Sequence, residues 1–200
     1  MTNSSESSQD RNPNGIFSVT DKVHYLLTID PGKSTGIVLG VFGEHVPYTR
    51  IGYWQVEGGT EGFCDWYLEH DGGMVDVVDH LVTLFGEDGG GLQRRVKFDK
   101  VVEKFILNPG NTFTADLTPV EIQGALMAFG EYPIWHNRTD KVLVKDEVLK
   151  RNDLWLTGSM VECKDARDVN DATVHALAHM MKIRHKPTLQ EYFRKEEELI

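Results

Sequence analysis

The stretch LLTIDPGKSTG, residues 26–36, decides how this chain is interpreted. It overlaps the end of VHYLLTID (residues 23–30), a nearly continuous apolar run of strand length, and it continues through a Pro-Gly turn. Strands that are buried on both faces have this pattern, rather than a strict alternation of apolar and polar residues. The sequence therefore predicts a central strand that carries the carboxylate of Asp30 at its end.

Gly32-Lys33-Ser34-Thr35 within this stretch looks like the end of a nucleotide-binding P-loop. That motif requires a glycine five residues before Gly32, where this chain has Leu27. Pro31 also removes one of the backbone amides that would bind a phosphate. We therefore expect no nucleotide cofactor, and Asp30 becomes the residue of interest.

The bulk composition is that of a globular protein. The chain has 200 residues, of which 40% are hydrophobic, as expected for one domain with tails. Cys64 and Cys163 lie far apart and have neither zinc-site nor disulfide spacing. No apolar run approaches the roughly 20 residues of a membrane span, and no charged-then-apolar leader opens the chain. These features predict a reducing, cytoplasmic location and no membrane partner.

The net charge of −10, taken alone, argues against nucleic acid as a partner. The acidic excess is concentrated, however, in residues 57–91, which contain no Lys or Arg. Residues 94–104 and 138–151 form basic segments, and each of them alone is typical of a solvated surface. Binding of DNA would therefore depend on a local basic patch.

The hydrophobic pattern predicts the order of the secondary structure. Three strands in residues 23–57 have connections short enough for an antiparallel meander, and apolar residues at helical spacing predict a helix in residues 74–85. A strand (98–107), a helix (118–130), a short strand (132–137), a mixed segment and a helix (168–186) follow. A parallel strand that returns after a helical crossover gives a mixed sheet with helices on both faces, an α/β fold.

Composition also divides the chain into three parts. Residues 1–20 are rich in Ser and Asn and hold few apolar side chains, which predicts a disordered arm. The predicted elements occupy residues 21–186 as one domain. Residues 187–200 form a charged tail that has room for one short helix.

Four carboxylates stand where a purely structural protein would avoid them. Asp30 ends the central strand, and Glu103 lies inside the apolar strand VVEKF. Asp168 and Asp171 are three residues apart, on one face of the last predicted helix. Buried carboxylates are costly unless they are paired or hold a cation. If the four converge, two Mg²⁺ ions about 4 Å apart would relieve their repulsion and could hydrolyse a phosphodiester.

Each of these residues also has an ordinary structural interpretation. Asp30 before Pro-Gly suits a turn, and Glu103 suits an edge strand beside a cation. The two helix carboxylates suit the first turn of a helix, where they favour its dipole. The functional interpretation depends on their joint occurrence, on these elements and in this order.

Three more residues are candidates for the same site. Asp165 is three residues from Asp168 and competes with the helix pair. His175 and His179 follow Asp171 at four and eight residues. They suit a third metal ligand or a proton shuttle, and they equally suit the semi-buried face of a helix.

Three blocks of sequence, in this order, resemble the RuvC-like Holliday junction resolvases of the ribonuclease H superfamily. The blocks are IDPGKSTG between two strands, VVEKF on the fourth strand, and RDVNDATVHALAH on the C-terminal helix. The likeness is greatest to the divergent versions carried by bacteriophages, to which PGNTFTADLTPVE is also similar. The resemblance covers residues 25–185.

The resemblance implies a ribonuclease H-like fold with a five-stranded mixed sheet, usually in a homodimer. It implies an endonuclease that resolves Holliday junctions or other branched DNA with Mg²⁺ or Mn²⁺, two ions per active site. By position, Asp30 matches the first-strand Asp, Glu103 the fourth-strand Glu, and Asp168 and Asp171 the helix pair. Asp30 would bridge the metals, and Glu103 would hold one of them or orient the water. A phage-encoded chain would act in the host cytoplasm.

Because the chain is acidic where bacterial members are basic, contact with DNA would rest on a few side chains. The candidate phosphate contacts are the basic residues near the predicted site: Lys33, Lys104, Arg138, Lys141 and Lys145. Each contact would steepen the salt dependence of binding. Phe113, in the loop NPGNTF, suits stacking on bases or wedging between them, and equally suits an ordinary buried position.

Other functions stay open on these residues. A ribonuclease H-type or flap-debranching nuclease would use the same carboxylates. A non-catalytic DNA-binding module of the same fold would not require all four of them. An actin-like ATPase or sugar kinase would need a second lobe, for which the chain leaves no room.

Overall fold

The computed structural model describes residues 23–70, 98–106 and 116–193. The predicted arm at residues 1–20, the predicted helix at residues 74–85 and Phe113 lie outside these ranges. In the described part of the chain, no helix is both long enough and apolar enough to cross a membrane.

Five strands form one mixed sheet in the order β3-β2-β1-β4-β5. They are β1 (Val23–Asp30), β2 (Ser34–Gly43), β3 (Thr49–Glu57), β4 (Phe98–Lys104) and β5 (Ile134–Asn137). β1, β2 and β3 form an antiparallel meander, whereas β4 pairs in parallel with β1 and β5 in parallel with β4. The expected α/β fold class with a five-stranded mixed sheet, an antiparallel meander followed by parallel strands, is confirmed.

The helices cover both faces of the sheet. They are α1 (Gly59–Glu69), α2 (Thr118–Ala128), α3 (Asp146–Arg151), α4 (Arg167–Lys182) and α5 (Lys186–Phe193), with 3₁₀ segments at Arg138–Leu143 and Gly158–Met160. α1 and α2 pack on one face, and α4 packs on the other. α5 begins one residue before the segment predicted as a tail, and its buried Thr188 hydroxyl accepts a hydrogen bond from the backbone N–H of Tyr48 at 2.7 Å.

β1 has few polar residues because both of its faces are covered by helices. Tyr25, Leu27 and Ile29 pack into the core with α1 and α2, whereas Leu26 packs into the core with α4. Because side chains in a strand alternate between the two faces, Asp30 shares the face of Leu26. The carboxylate of Asp30 therefore lies on the α4 side of the sheet.

Gly36 is the point at which α4 crosses β2. It pairs with Asp30 in the sheet. A Cβ atom at position 36 would lie 2.0 Å from the carbonyl carbon and oxygen of Asp168, so any larger residue would collide with the backbone of α4. The glycine of the opening stretch thus lets the first turn of α4 approach the strand that carries the predicted catalytic aspartate.

Candidate metal centre

The parallel strands bring two of the predicted carboxylates side by side. β1 and β4 pair through Ile29 and Val102, so Asp30 and Glu103, the next residues on each strand, lie level with each other. Val101 packs into the α4 core, and the alternation along β4 puts Glu103 on that face too. The first half of α4 adds Asp171 and His175. These two residues form one cluster with Asp30 and Glu103 at the carboxyl end of the parallel strands.

Lys141 lies inside this cluster. Its ammonium nitrogen is 2.6 Å from Oε2 of Glu103, 2.8 Å from Oδ2 of Asp171 and 3.3 Å from Oδ1 of Asp30. The exposed fractions of the side chains are 11% for Asp30, 14% for Glu103, 22% for Lys141 and 35% for Asp171. One positive charge is therefore shared by three carboxylates that are largely withdrawn from water.

The surroundings shift the pKa values of these groups in different directions. Burial raises the pKa of Asp30 well above its usual value, against the attraction of Lys141. Burial alone would also raise the pKa of Glu103, but hydrogen bonds from His175 and Asp30 and the ammonium of Lys141 lower it overall. The pKa of Lys141 is raised, because its attraction to Asp30 and its hydrogen bonds to Asp171 and Glu103 outweigh the opposing effect of burial. The cluster therefore favours the charged forms of Glu103 and Lys141 and disfavours the charged form of Asp30.

Asp30, Glu103 and His175 each offer a donor atom, and these atoms all lie within 4.8 Å of one another. Nε2 of His175 is 2.8 Å from Oε2 of Glu103. Carboxylate oxygens are the ligands that Mg²⁺ and Mn²⁺ prefer. The position of the Lys141 ammonium shows that the same place attracts a cation, so the residues present fit a divalent metal ion.

Asp168 is held on the β3 side of this cluster. Its Oδ2 accepts a hydrogen bond from Nε2 of Gln55 at 2.7 Å, and the backbone N–H of Val169 donates to Oε1 of Gln55 at 3.2 Å. Nε2 of Gln55 also contacts the hydroxyl of Ser34. Gln55 therefore fastens the first turn of α4 to the β2–β3 pair. Asp168 therefore contacts Gln55, whereas Asp30, Glu103 and Asp171 contact Lys141.

Three buried histidines lie behind the carboxylates. His136 on β5 is opposite Glu103 in the sheet, and its ring centroid is 5.5 Å from that of His175 and 5.6 Å from that of His179. Neither ring nitrogen of His136 has a hydrogen-bond partner among the described residues. Burial lowers the pKa of His136 to about 4, and burial also lowers the pKa of His179.

The other basic residues predicted to contact DNA are exposed. Lys33 lies in the β1–β2 turn, Lys104 ends β4, Arg138 directly follows β5, and Lys145 precedes α3. Lys33, Lys104 and Arg138 thus follow the strand ends that carry the acidic cluster. Lys141 differs from them, because its charge is directed into the cluster. Asp165 is also exposed and accepts a hydrogen bond from the backbone N–H of Arg167.

Pattern reasoning from sequence did not anticipate Gln55, His136 or the place of Lys141. Gln55 and His136 lie in ordinary strand positions, which carry no local signal of a site. A signal for Lys141 did exist, because it follows a strand that runs parallel to β1 and β4, and parallel strands end at the same edge of a sheet. Using that signal requires knowing which strands are neighbours.

Comparisons with known proteins add structural neighbours. Thermus thermophilus RuvC in complex with a Holliday junction substrate shares 14% identity at a TM-score of 0.44, over 82% of this chain and 97% of that chain. A second Thermus thermophilus RuvC structure shares 15% identity at a TM-score of 0.45, over 80% of this chain and 95% of that one. No protein-family model matches the chain, and no curated protein does.

Proposed function

We propose that this chain is a metal-dependent endonuclease that hydrolyses phosphodiester bonds in branched DNA, with a four-way junction as its substrate. The observation that carries the proposal is the convergence of Asp30, Glu103 and Asp171 on one cation position, the ammonium of Lys141. A purely structural protein gains little from a buried cluster of charges, since replacing the whole cluster with well-packed apolar residues is often neutral or stabilising. A nuclease that uses two metal ions requires such a cluster of carboxylates.

Each residue of the cluster has a role in this proposal. Divalent cations bound there would lower the pKa of the attacking water and stabilise the leaving oxygen. Asp30, Glu103 and Asp171 would supply oxygen ligands. Asp168, one helical turn before Asp171, would supply another if it exchanged its contact with Gln55 for the metal. The proposed products are a 5′-phosphate and a 3′-hydroxyl.

The proposed DNA surface is the same edge of the sheet. Lys33, Lys104 and Arg138 are exposed there, and they give an acidic chain the local positive charge that phosphate binding requires. A homodimer would match the two-fold symmetry of a junction that has two strands to cut. The bacteriophage-type assignment, two ions per site and a cytoplasmic place of action belong to the same proposal.

Cleavage of defined substrates tests it. Labelled four-way junction, flap, linear duplex and RNA–DNA hybrid are incubated with the full chain and either Mg²⁺ or Mn²⁺. We expect cleavage of the junction, and we expect Asp30→Asn and Glu103→Gln each to abolish it. Asp65→Asn and Glu69→Gln are the matched controls, because Asp65 and Glu69 are exposed on α1, away from the cluster.

Other results would identify a different function or reject part of the proposal. Cleavage that is confined to the hybrid or the flap would identify a ribonuclease H-type or debranching enzyme. Junction binding that persists without cleavage in any metal would identify a DNA-binding module. Equal cleavage by wild type and both cluster variants would reject the proposed site, and sedimentation of the free chain as a monomer at high concentration would reject the dimer.

A further inference from the structure

A hydrogen bond joins His175 on α4 to the carboxylate of Glu103. We propose that His175 is a positioning residue, which holds the Glu103 carboxylate by donating from Nε2 and thereby sets the metal affinity of the centre. This inference rests on the proposed metal centre. It differs from direct ligation by the imidazole, because the histidine acts through Glu103.

The contact is buried and short. Nε2 of His175 lies 2.8 Å from Oε2 of Glu103, and the side chain of His175 is 0% exposed. The same oxygen is 2.6 Å from the ammonium of Lys141. Both contacts therefore engage Oε2, and they fix the orientation of the carboxylate on the α4 face. Hydrogen bonds of this kind to metal-binding carboxylates orient the ligand and strengthen binding.

The chemistry of the two groups assigns the tautomer. An ionised carboxylate can only accept hydrogen bonds, so the proton of a neutral His175 lies on Nε2. Nδ1 is then a lone-pair acceptor, and it has no hydrogen-bond partner among the described residues. If Nε2 bound a metal instead, Nδ1 would carry the proton and would need an acceptor, which ligating histidines almost always have. Among the described residues no acceptor contacts Nδ1. The geometry therefore favours a hydrogen bond donated by Nε2 to Glu103.

The packing keeps the imidazole in this orientation. His136 is opposite Glu103 on the neighbouring strand, and its ring meets that of His175 at 64°. Val174 and Ala176, which flank His175 on α4, belong to the apolar core. An unpaired nitrogen in such a core is unfavourable, so an apolar residue would pack better. The hydrogen bond to Glu103 is the reason we infer for a histidine here.

Binding of Mn²⁺ to the full chain, measured by the EPR signal of free Mn²⁺, tests the inference without DNA or cleavage. We expect His175→Leu to weaken Mn²⁺ binding by about 10–100-fold, as for the loss of other partners of metal ligands. His175→Gln should recover most of the affinity, because the amide nitrogen of Gln takes about the place of Nε2. His45→Leu, at an exposed position in the turn after β2, is the control and should bind as wild type does. Circular dichroism establishes that each variant is folded.

The tautomer of His175 in the wild-type chain gives a second readout that needs no substitution. In ¹⁵N-labelled protein we expect the Nε2–H tautomer both without metal and after saturation with Mg²⁺. A change to Nδ1–H on Mg²⁺ loading would overturn the inference, since the imidazole would then be a direct ligand. Mn²⁺ affinity that is unchanged in folded His175→Leu, or unrecovered in folded His175→Gln, would also overturn it. Wild type that binds no Mn²⁺ would remove the proposed centre as well, whereas normal Mn²⁺ binding without DNA cleavage would remove only the nuclease function.

Discussion

The ammonium nitrogen of Lys141 lies 2.6 Å from Oε2 of Glu103. The two residues come from different elements, the 3₁₀ segment after β5 and the strand β4, and they meet because β4 and β5 are parallel neighbours. The lysine thereby supplies the positive charge at the place where we propose a divalent cation. We therefore expect metal binding and the position of Lys141 to be coupled.

Replacement of this lysine should expose that coupling. In Lys141→Gln three neighbouring carboxylates lose their shared cation, and loss of one partner from a buried ion pair costs about 3 kcal/mol or more. We expect the free energy of unfolding to fall by an amount of that order in EDTA, and to recover in part with Mn²⁺. Urea denaturation under both conditions measures it, with exposed Lys145→Gln as control. Equal stability of Lys141→Gln and wild type in EDTA would contradict this coupling.

The close approach at Gly36 predicts a severe effect from one methyl group. In Gly36→Ala the new Cβ would meet the backbone of Asp168 at 2.0 Å, so α4 must move away from β2. We expect a loss of about 1–3 kcal/mol, the usual cost of overpacking a core, and a weaker metal site. Gly124→Ala is the matched control, because a Cβ there meets nothing within 4 Å, and alanine in a helix gains about 0.5–1 kcal/mol over glycine. Urea denaturation of the two variants should give opposite signs.

The clamp formed by Gln55 predicts a coupling to Asp168. Gln55→Ala leaves the carboxylate of Asp168 and the backbone N–H of Val169 without the partner they now have. Each such loss costs about 1–3 kcal/mol where the group is buried, and both hydrogen bonds here are only partly buried, so we expect the lower end. A double-mutant cycle of Gln55→Ala and Asp168→Ala, followed by urea denaturation, should give a coupling of about 0.5–3 kcal/mol. Additive effects of the two substitutions would show that the contact contributes nothing.

The buried histidine on β5 predicts a pH dependence of stability. Burial lowers the pKa of His136 from 6.5 to about 4 in the folded chain, so between these values the unfolded chain binds the extra proton. Stability from this group is therefore complete above pH 6.5 and is lost as the pH falls towards 4, by at most about 1.4 kcal/mol per pH unit. Other groups titrate in this range, and the comparison with His136→Gln isolates the histidine. Metal-free wild type should lose more stability than His136→Gln between pH 7 and pH 5, and parallel pH profiles would contradict the assignment.

The element order was predictable because each element has its own local pattern. The apolar run of β1 and the helical spacing in α4 are properties of neighbouring residues, and the connections between β1, β2 and β3 are too short for anything but an antiparallel meander. The positions of Asp30 on β1 and of Glu103 on β4 were predictable for the same reason. The alternation of faces then puts both carboxylates on the side of α4.

The partners of those carboxylates were not predictable in this way. Lys141 was expected to contact DNA on an exposed basic segment, and the structure directs it into the acidic cluster. Asp168 and Asp171 were expected to act together. In the structure the carboxylate of Asp168 contacts Gln55, and that of Asp171 contacts Lys141. His136 had no local signal at all.

Sequence alone determined the strand that ends in Asp30, the strand that holds Glu103 and the helix that holds Asp171, because hydrophobic periodicity is a short-range property of the chain. Only the tertiary structure decided that Lys141 supplies the cation for these carboxylates, that Gln55 holds Asp168, and that Gly36 admits α4. Those relationships depend on which strands pair, in which direction and in which register. The free energy that selects them comes from burying both faces of the whole sheet, which no single segment specifies.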